Sequence, residues 1–414
     1  MVKLGKREIS LGKWLAALGA LILGYIVFMA LMQRPASDIS IHAAWAQQGS
    51  FANPKTFVYR AAHPLWHIIV ALFLRVGLPL DVSASLLTAL CKAGEVWLLI
   101  TLAESIIGKK GWLATLSGVL CALVTAVWVP VLNAQIYYGI GSPNTWHSPT
   151  QLMAMVMMLI ILPYTARCVE TFQRRLPTEG EKANISWRNT AVLGALLAVS
   201  LLAKPTFMQA FFPAACLYFL LMWIKRPKNS PFFWRLLAAA APSVLMMALQ
   251  YLFYFGQVLP TQGGMALHVS WDKTADVALS VILTRLFPLF VLLTTLERER
   301  YQKPLYQLAL LMDAVAIAEM LLVSETGRRA ADGNLGWAMM GSALMLWALT
   351  LPVFLNKLTL WLKRRKAAAE GHPYLTSHPK LEPLKWATGS LLLLWHAATG
   401  IYYVVYMITT TNVL

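Results

Sequence analysis

Asp38, His42 and Trp45 sit in the stretch Pro35-Ala-Ser-Asp38-Ile-Ser-Ile-His42-Ala-Ala-Trp45, directly after a hydrophobic run that ends near Met32. If Ser37 caps a helix, this spacing puts an acid, an imidazole and an indole on one face. A carboxylate held there can take the proton of an arriving hydroxyl, with His42 fixing its orientation. A smaller role competes with this one: Asp38 only caps the helix and Trp45 only anchors at the headgroups.

Other polar groups carry weaker signals. His63-Pro-Leu-Trp-His67 sets two imidazoles one turn apart, a spacing that suits a metal, but it lacks the glutamate of a His-Glu-x-x-His protease. His63 and His67 are therefore expected to line an interfacial helix or to hydrogen-bond a sugar or phosphate, and no metal ligand is assigned. The segment from Gly141 to Gln151 offers Asn144, Trp146 and His147 to a sugar. Its Ser148, Pro149 and Gln151 read as a cap, a first-turn proline and a capping-box partner. Lys204, before Pro205, is either a snorkelling lysine or a point charge for a lipid-linked phosphate. Glu325, Arg328, Arg329 and Asn334 form a last polar loop, where adjacent arginines suit a pyrophosphate and Asn334 can also cap the helix that follows. Inside hydrophobic runs, Lys92 and Glu95 are expected to pair, and Arg285, without a local partner, points to a polar cavity.

The elements that must position these groups are set by composition. The chain has 414 residues, 58% of them hydrophobic and 13% charged, with a mean hydropathy of +0.60. That is too apolar for an ordinary soluble domain and predicts an all-α polytopic membrane protein, residues 1–414 forming a single integral-membrane unit. The net charge of +17 is split among short clusters at Lys109/Lys110, Arg174/Arg175, Lys225/Arg226/Lys228, Arg298/Arg300/Lys303 and Lys363 to Lys366. Separate basic loops fit the positive-inside rule, whereas a nucleic-acid partner would favour one continuous stripe. The cysteines at 91, 121, 168 and 216 show no metal-ligand spacing and read as packing residues.

Hydropathy predicts about eleven transmembrane helices, at 11–32, 84–107, 112–132, 149–168, 189–204, 206–224, 235–255, 277–296, 305–324, 337–361 and 386–410. The segment Pro64 to Pro79 is short and carries His67 and Arg75, so it is taken as an additional interfacial or re-entrant helix. Treating it as non-spanning puts the large basic loops on one side. The N-terminus is then cytoplasmic and the C-terminus outside, with 33–83 as the first outer loop and 363–385 as a cytoplasmic loop. The polar residues gather in the outer segments 33–83, 133–148, 256–276 and 325–336.

A cytoplasmic N-terminus, one span, an early outer acid (Asp38), an apolar interfacial stretch (His63 to Pro79), a helix pair broken at Ile107-Gly-Lys-Lys110 and an outer turn from Ser142 to Pro149 together resemble the GT-C superfamily of integral-membrane glycosyltransferases. The resemblance covers roughly the first 170 residues. It implies a sugar donor linked to polyprenyl phosphate or pyrophosphate, an acceptor that is a cell-envelope glycan, lipid or protein, and contact with membrane lipids in a bacterial cytoplasmic membrane. It also implies that Asp38 acts as base or acceptor-orienting group. Many relatives have two adjacent acids there; here Ile39 follows Asp38, which leaves a divalent cation cofactor open. The expectation is an inverting transferase with Asp38 and His42 as catalytic residues. Two alternatives stand beside it: a transporter or flippase using Lys92, Glu95 and Arg285 as its passage, and a noncatalytic membrane scaffold.

Overall fold

The computed structural model describes residues 10–61, 63–132, 142–255, 263–269, 271–327, 335–370 and 381–410. Its helices are α1 (Leu11–Met32), α2 (Asp38–Gln47), α3 (Lys55–Arg60), α4 (Leu65–Arg75), α5 (Leu80–Ile107), α6 (Trp112–Cys121), α7 (Pro149–Glu179), α8 (Trp187–Ala203), α9 (Thr206–Lys225), α10 (Ser230–Phe255), α11 (Trp271–Thr294), α12 (Arg298–Tyr301), α13 (Pro304–Leu322), α14 (Gly336–Ala369) and α15 (Leu381–Thr409). Among the described residues, nine helices are long and apolar enough to cross a membrane: α1, α5, α7, α9, α10, α11, α13, α14 and α15. This is the architecture of a polytopic membrane protein. The most apolar stretch of α14 is wholly buried, so that helix forms the centre of the bundle.

Among the shorter segments, α4 is too short to span, as expected for 64–79, whereas α6 departs from its expected span. At 11 residues α4 cannot cross a bilayer, and it packs on α2 and α5. α8 has 17 residues, at the lower limit for a span. The expected span at 112–132 is helical only through Cys121. Beyond it the chain runs without helix and finds backbone partners on neighbours, Val127 N–H donating to the Leu283 carbonyl at 2.9 Å and Trp128 N–H to Thr399 Oγ1 at 3.4 Å. Non-helical backbone at such depth is tolerated because protein groups satisfy it. The close approach depends on Gly400, where a Cβ would collide with the Leu123 carbonyl.

The all-helical expectation needs one addition. β1 (Gly263–Leu267) and β2 (Val323–Gly327) pair antiparallel, with Met265 opposite Glu325. Two loops that leave the bundle at the same end thus satisfy each other's backbone groups. The chain's up-and-down course gathers several helix termini at this end: the C-termini of α1, α8, α13 and α15 and the N-termini of α5, α7, α9 and α14. Cross-links confirm the convergence. Arg34 Nη2 donates to the Met407 carbonyl at 2.6 Å, and Gln151 Nε2 donates to the Trp337 carbonyl at 3.0 Å.

Candidate functional site

The turn between α1 and α2 is tied down by hydroxyls. Ser37 Oγ accepts from Ser40 N–H at 3.2 Å and donates to the Leu31 carbonyl at 2.7 Å, while Ser40 Oγ donates to the Arg34 carbonyl at 2.8 Å. Ser37 is therefore the N-cap, as its position suggested, and Asp38 is the first residue of α2. One turn later His42 Nε2 lies 3.3 Å from Asp38 Oδ1. The other ring nitrogen, Nδ1, is 2.8 Å from Nε2 of His67, delivered by the first turn of α4. Asp38, His42 and His67 form a hydrogen-bonded chain linking two helices. Trp45 packs edge-on against His42 at 4.8 Å between centroids, and the His63 ring lies 6.3 Å from that of His42.

A second group closes over the first. Proline at 205 disfavours the α conformation at residue 204, so the chain breaks there, with Lys204 extended at φ −172°. The Lys204 side chain is buried, and its ammonium sits 4.0 Å from the centroid of the Trp337 ring. His147 lies 5.5 Å from the same indole, and its Nδ1 is 3.0 Å from the Tyr403 hydroxyl. Thr206 Oγ1 donates to Gln151 Oε1 at 2.8 Å, tying the start of α9 to α7.

The charges of these groups follow from their surroundings. Burial pushes the Asp38 carboxyl up, but the His42 hydrogen bond and then the electrostatic influence of His42, Lys204 and His147 prevail and hold it well below its ordinary value. Asp38 is thus a carboxylate, and its side chain is 34% exposed. Burial lowers His67 to about 3, with help from His42. Burial likewise lowers His147 to about 4, Asp38 opposing and Lys204 assisting. His63 is held well below its ordinary value by burial and then by Lys204. At neutral pH the pocket therefore holds the Asp38 carboxylate beside neutral His63, His67 and His147.

Several sequence expectations are corrected. Asn144 does not face a ligand: it is buried, accepts from Lys92 Nζ at 3.0 Å and donates to the carbonyls of Cys121 and Val124, both at 2.7 Å. Ser148 makes no side-chain cap, and the Gln151 amide is engaged by Trp337 and Thr206 instead of closing a capping box. Lys92 and Glu95 do pair, at 3.0 Å. Arg285 has a partner after all, Asp313 of α13, reached at 2.7 Å by Nη2 and supported by Ser342. Sequence distance hid it. Cys216 is exposed, so it is not a packing residue. Glu325 stands on β2, opposite Met265. Arg328, Arg329 and Asn334 lie outside the described residues.

Tyr403 and the indole of Trp337 as a platform were not singled out from sequence; both belong to spans whose aromatic residues look like ordinary packing or belt residues. A divalent cation does not fit the arrangement. Among the described residues no group of three or more His, Cys, Asp or Glu side chains could hold a metal, and the facing nitrogens of His42 and His67 engage each other. No protein-family model matches the chain, and no curated protein matches it.

Proposed function

We propose that this protein is a GT-C type membrane glycosyltransferase that moves a hexosyl or pentosyl group from a polyprenyl-linked donor to a cell-envelope glycan, lipid or protein acceptor at the outer face of a bacterial cytoplasmic membrane. The observation that carries this reading is a partly exposed Asp38 carboxylate lowered by the nearby charge of buried Lys204, which comes from a different part of the chain. A glycosyl transfer from a phosphate donor needs one group to receive a proton and another to stabilise a departing anion. A narrow apolar cavity lined by Met155, Met158, Phe207 and Met312 shares Trp337 with the Lys204 contact.

In this reaction the acceptor hydroxyl donates a hydrogen bond to Asp38. The bond between the anomeric carbon and the phosphate oxygen breaks, its electron pair leaving with the phosphate beside Lys204. The acceptor oxygen bonds to the anomeric carbon and becomes strongly acidic, so its proton passes to Asp38 although that carboxylate is a weak base. Late transfer resolves the apparent mismatch. The transport alternative has less to draw on, because Lys92 is closed onto Glu95 and Arg285 onto Asp313.

The test is transfer from radiolabelled polyprenyl-phosphate hexoses and pentoses to total membrane lipid and delipidated envelope glycan by the reconstituted protein. Asp38→Asn is expected to lower the rate by about 10²- to 10⁴-fold in protein that still folds. Wild-type turnover by a folded Asp38→Asn variant, or no transfer from any donor by the wild type, overturns the proposal.

A further inference from the structure

His67 Nδ1 is buried and has no hydrogen-bond partner, although its other nitrogen is well engaged. The His63 backbone approaches the ring and favours its protonated form, but it lies outside ordinary hydrogen-bond geometry to Nδ1. A proton on Nδ1 would be a buried orphan donor, which folded proteins strongly avoid. The proton of neutral His67 therefore belongs on Nε2, where it is donated across 2.8 Å to His42 Nδ1. That nitrogen then acts as acceptor, and the proton of neutral His42 is forced onto Nε2, which faces Asp38 Oδ1 at 3.3 Å. One ring nitrogen's partner sets the tautomer of the other.

The geometry points to His67 as a positioning residue: its Nε2–H fixes the tautomer of His42 so that His42 always offers a donor, never a lone pair, to the Asp38 carboxylate. Without it, His42 is free to carry its proton on Nδ1 and to turn a lone pair toward the anion. The groups facing Asp38 are His42 on α2, Lys204 at the break between α8 and α9, and His147 ahead of α7; His63 and His67 approach from the start of α4. Changing His67 leaves Lys204 and His147, the other groups that act on Asp38, in place. It removes the support for the shortest contact Asp38 has in this cluster. The catalytic value of the lock rests on the glycosyltransfer reading, whereas its effect on the titration of Asp38 does not.

Infrared difference titration of protein labelled with carboxyl-¹³C aspartate, taken against Asp38→Asn, reads that carboxyl directly. In His67→Phe, which has no donor, the Asp38 midpoint is expected to rise by about one pH unit or more, a tenfold change in proton affinity. In His67→Gln, whose amide can still donate to His42 Nδ1, it should stay near the wild-type value. If the aromatic replacement fails to fold, His67→Met makes the same comparison. Equal midpoints in wild type and the donor-less variant, or a glutamine variant that behaves like the donor-less one, overturn the inference. In the transfer assay the acid limb should move to higher pH with the midpoint, the effect falling on kcat more than on KM. A wild type that shows the expected titration but transfers no sugar would sink the glycosyltransferase reading alone.

Discussion

Three histidines of the site remain neutral because they are buried beside positive charge, and this gives the folded state a definite response to acid. In an unfolded chain each imidazole binds its proton near pH 6.5; in the fold His67 waits until about 3 and His147 until about 4, with His63 also depressed. The unfolded state therefore binds more protons over that interval, and stability present above pH 6.5 is lost as pH falls toward those values. Asp38 acts in the same direction at still lower pH, since its folded value is also depressed. Each such histidine adds at most about 1.4 kcal/mol per pH unit to the slope. Melting in detergent should be flat from pH 8 to 7 and fall steadily toward pH 4, less steeply in His67→Gln; an unchanged slope in that variant would show that His67 is not buried neutral. At this scale the sequence was informative where the contact is local. Asp38 and His42 share a helix face by spacing alone, whereas the bond from His42 to His67 depends on where α4 docks, and that is tertiary.

At the scale of elements, buried polar groups explain where helices stop. α6 ends at Cys121, inside the bundle, leaving carbonyls that an uninterrupted helix would have used. The Asn144 amide donates to two of them, and Lys92 holds the Asn144 oxygen while pairing with Glu95. A cation near a helix C-terminus is also favoured by the helix dipole. Hydropathy read 112–132 as one span because it registers apolar residues and not a distant amide that can replace the helix's own donors. The same network ties down the segment that carries His147, so it positions the site without touching substrate. Lys92→Met strands a wholly buried carboxylate and is expected to cost about 3–5 kcal/mol. Removing both charges, with Lys92→Met and Glu95→Leu together, should recover part of that loss in equilibrium unfolding. A double variant as unstable as the sum of the singles would mean that the pair is not coupled.

Over the whole molecule, the two ends of the bundle differ in charge and in chemistry. The clusters at Lys109/Lys110, Arg174/Arg175, Lys225 to Lys228 and Lys363 to Lys366 lie within or just beyond the C-terminal turns of α5, α7, α9 and α14, and Arg298 to Lys303 precede α13. The candidate site uses the opposite termini of α7, α9 and α14 and the turns that follow α1 and α8. Hydropathy and charge thus made the membrane class and the two-ended character legible, while the strand pair, the broken α6 and the partner of Arg285 needed contacts between segments far apart in the chain. Basic clusters on the cytoplasmic side would set the site outside, where a lipid-linked donor and an envelope acceptor meet. In intact cells a membrane-impermeant maleimide should label a cysteine at exposed Asn53, near the site, above the background of the native cysteines. It should miss a cysteine at Lys228, whose side chain is 79% exposed at the basic end, until the cells are permeabilised. The reverse pattern would put Asp38 and Lys204 in the cytoplasm and remove the ground for transfer at the outer face, whatever the geometry of the pocket.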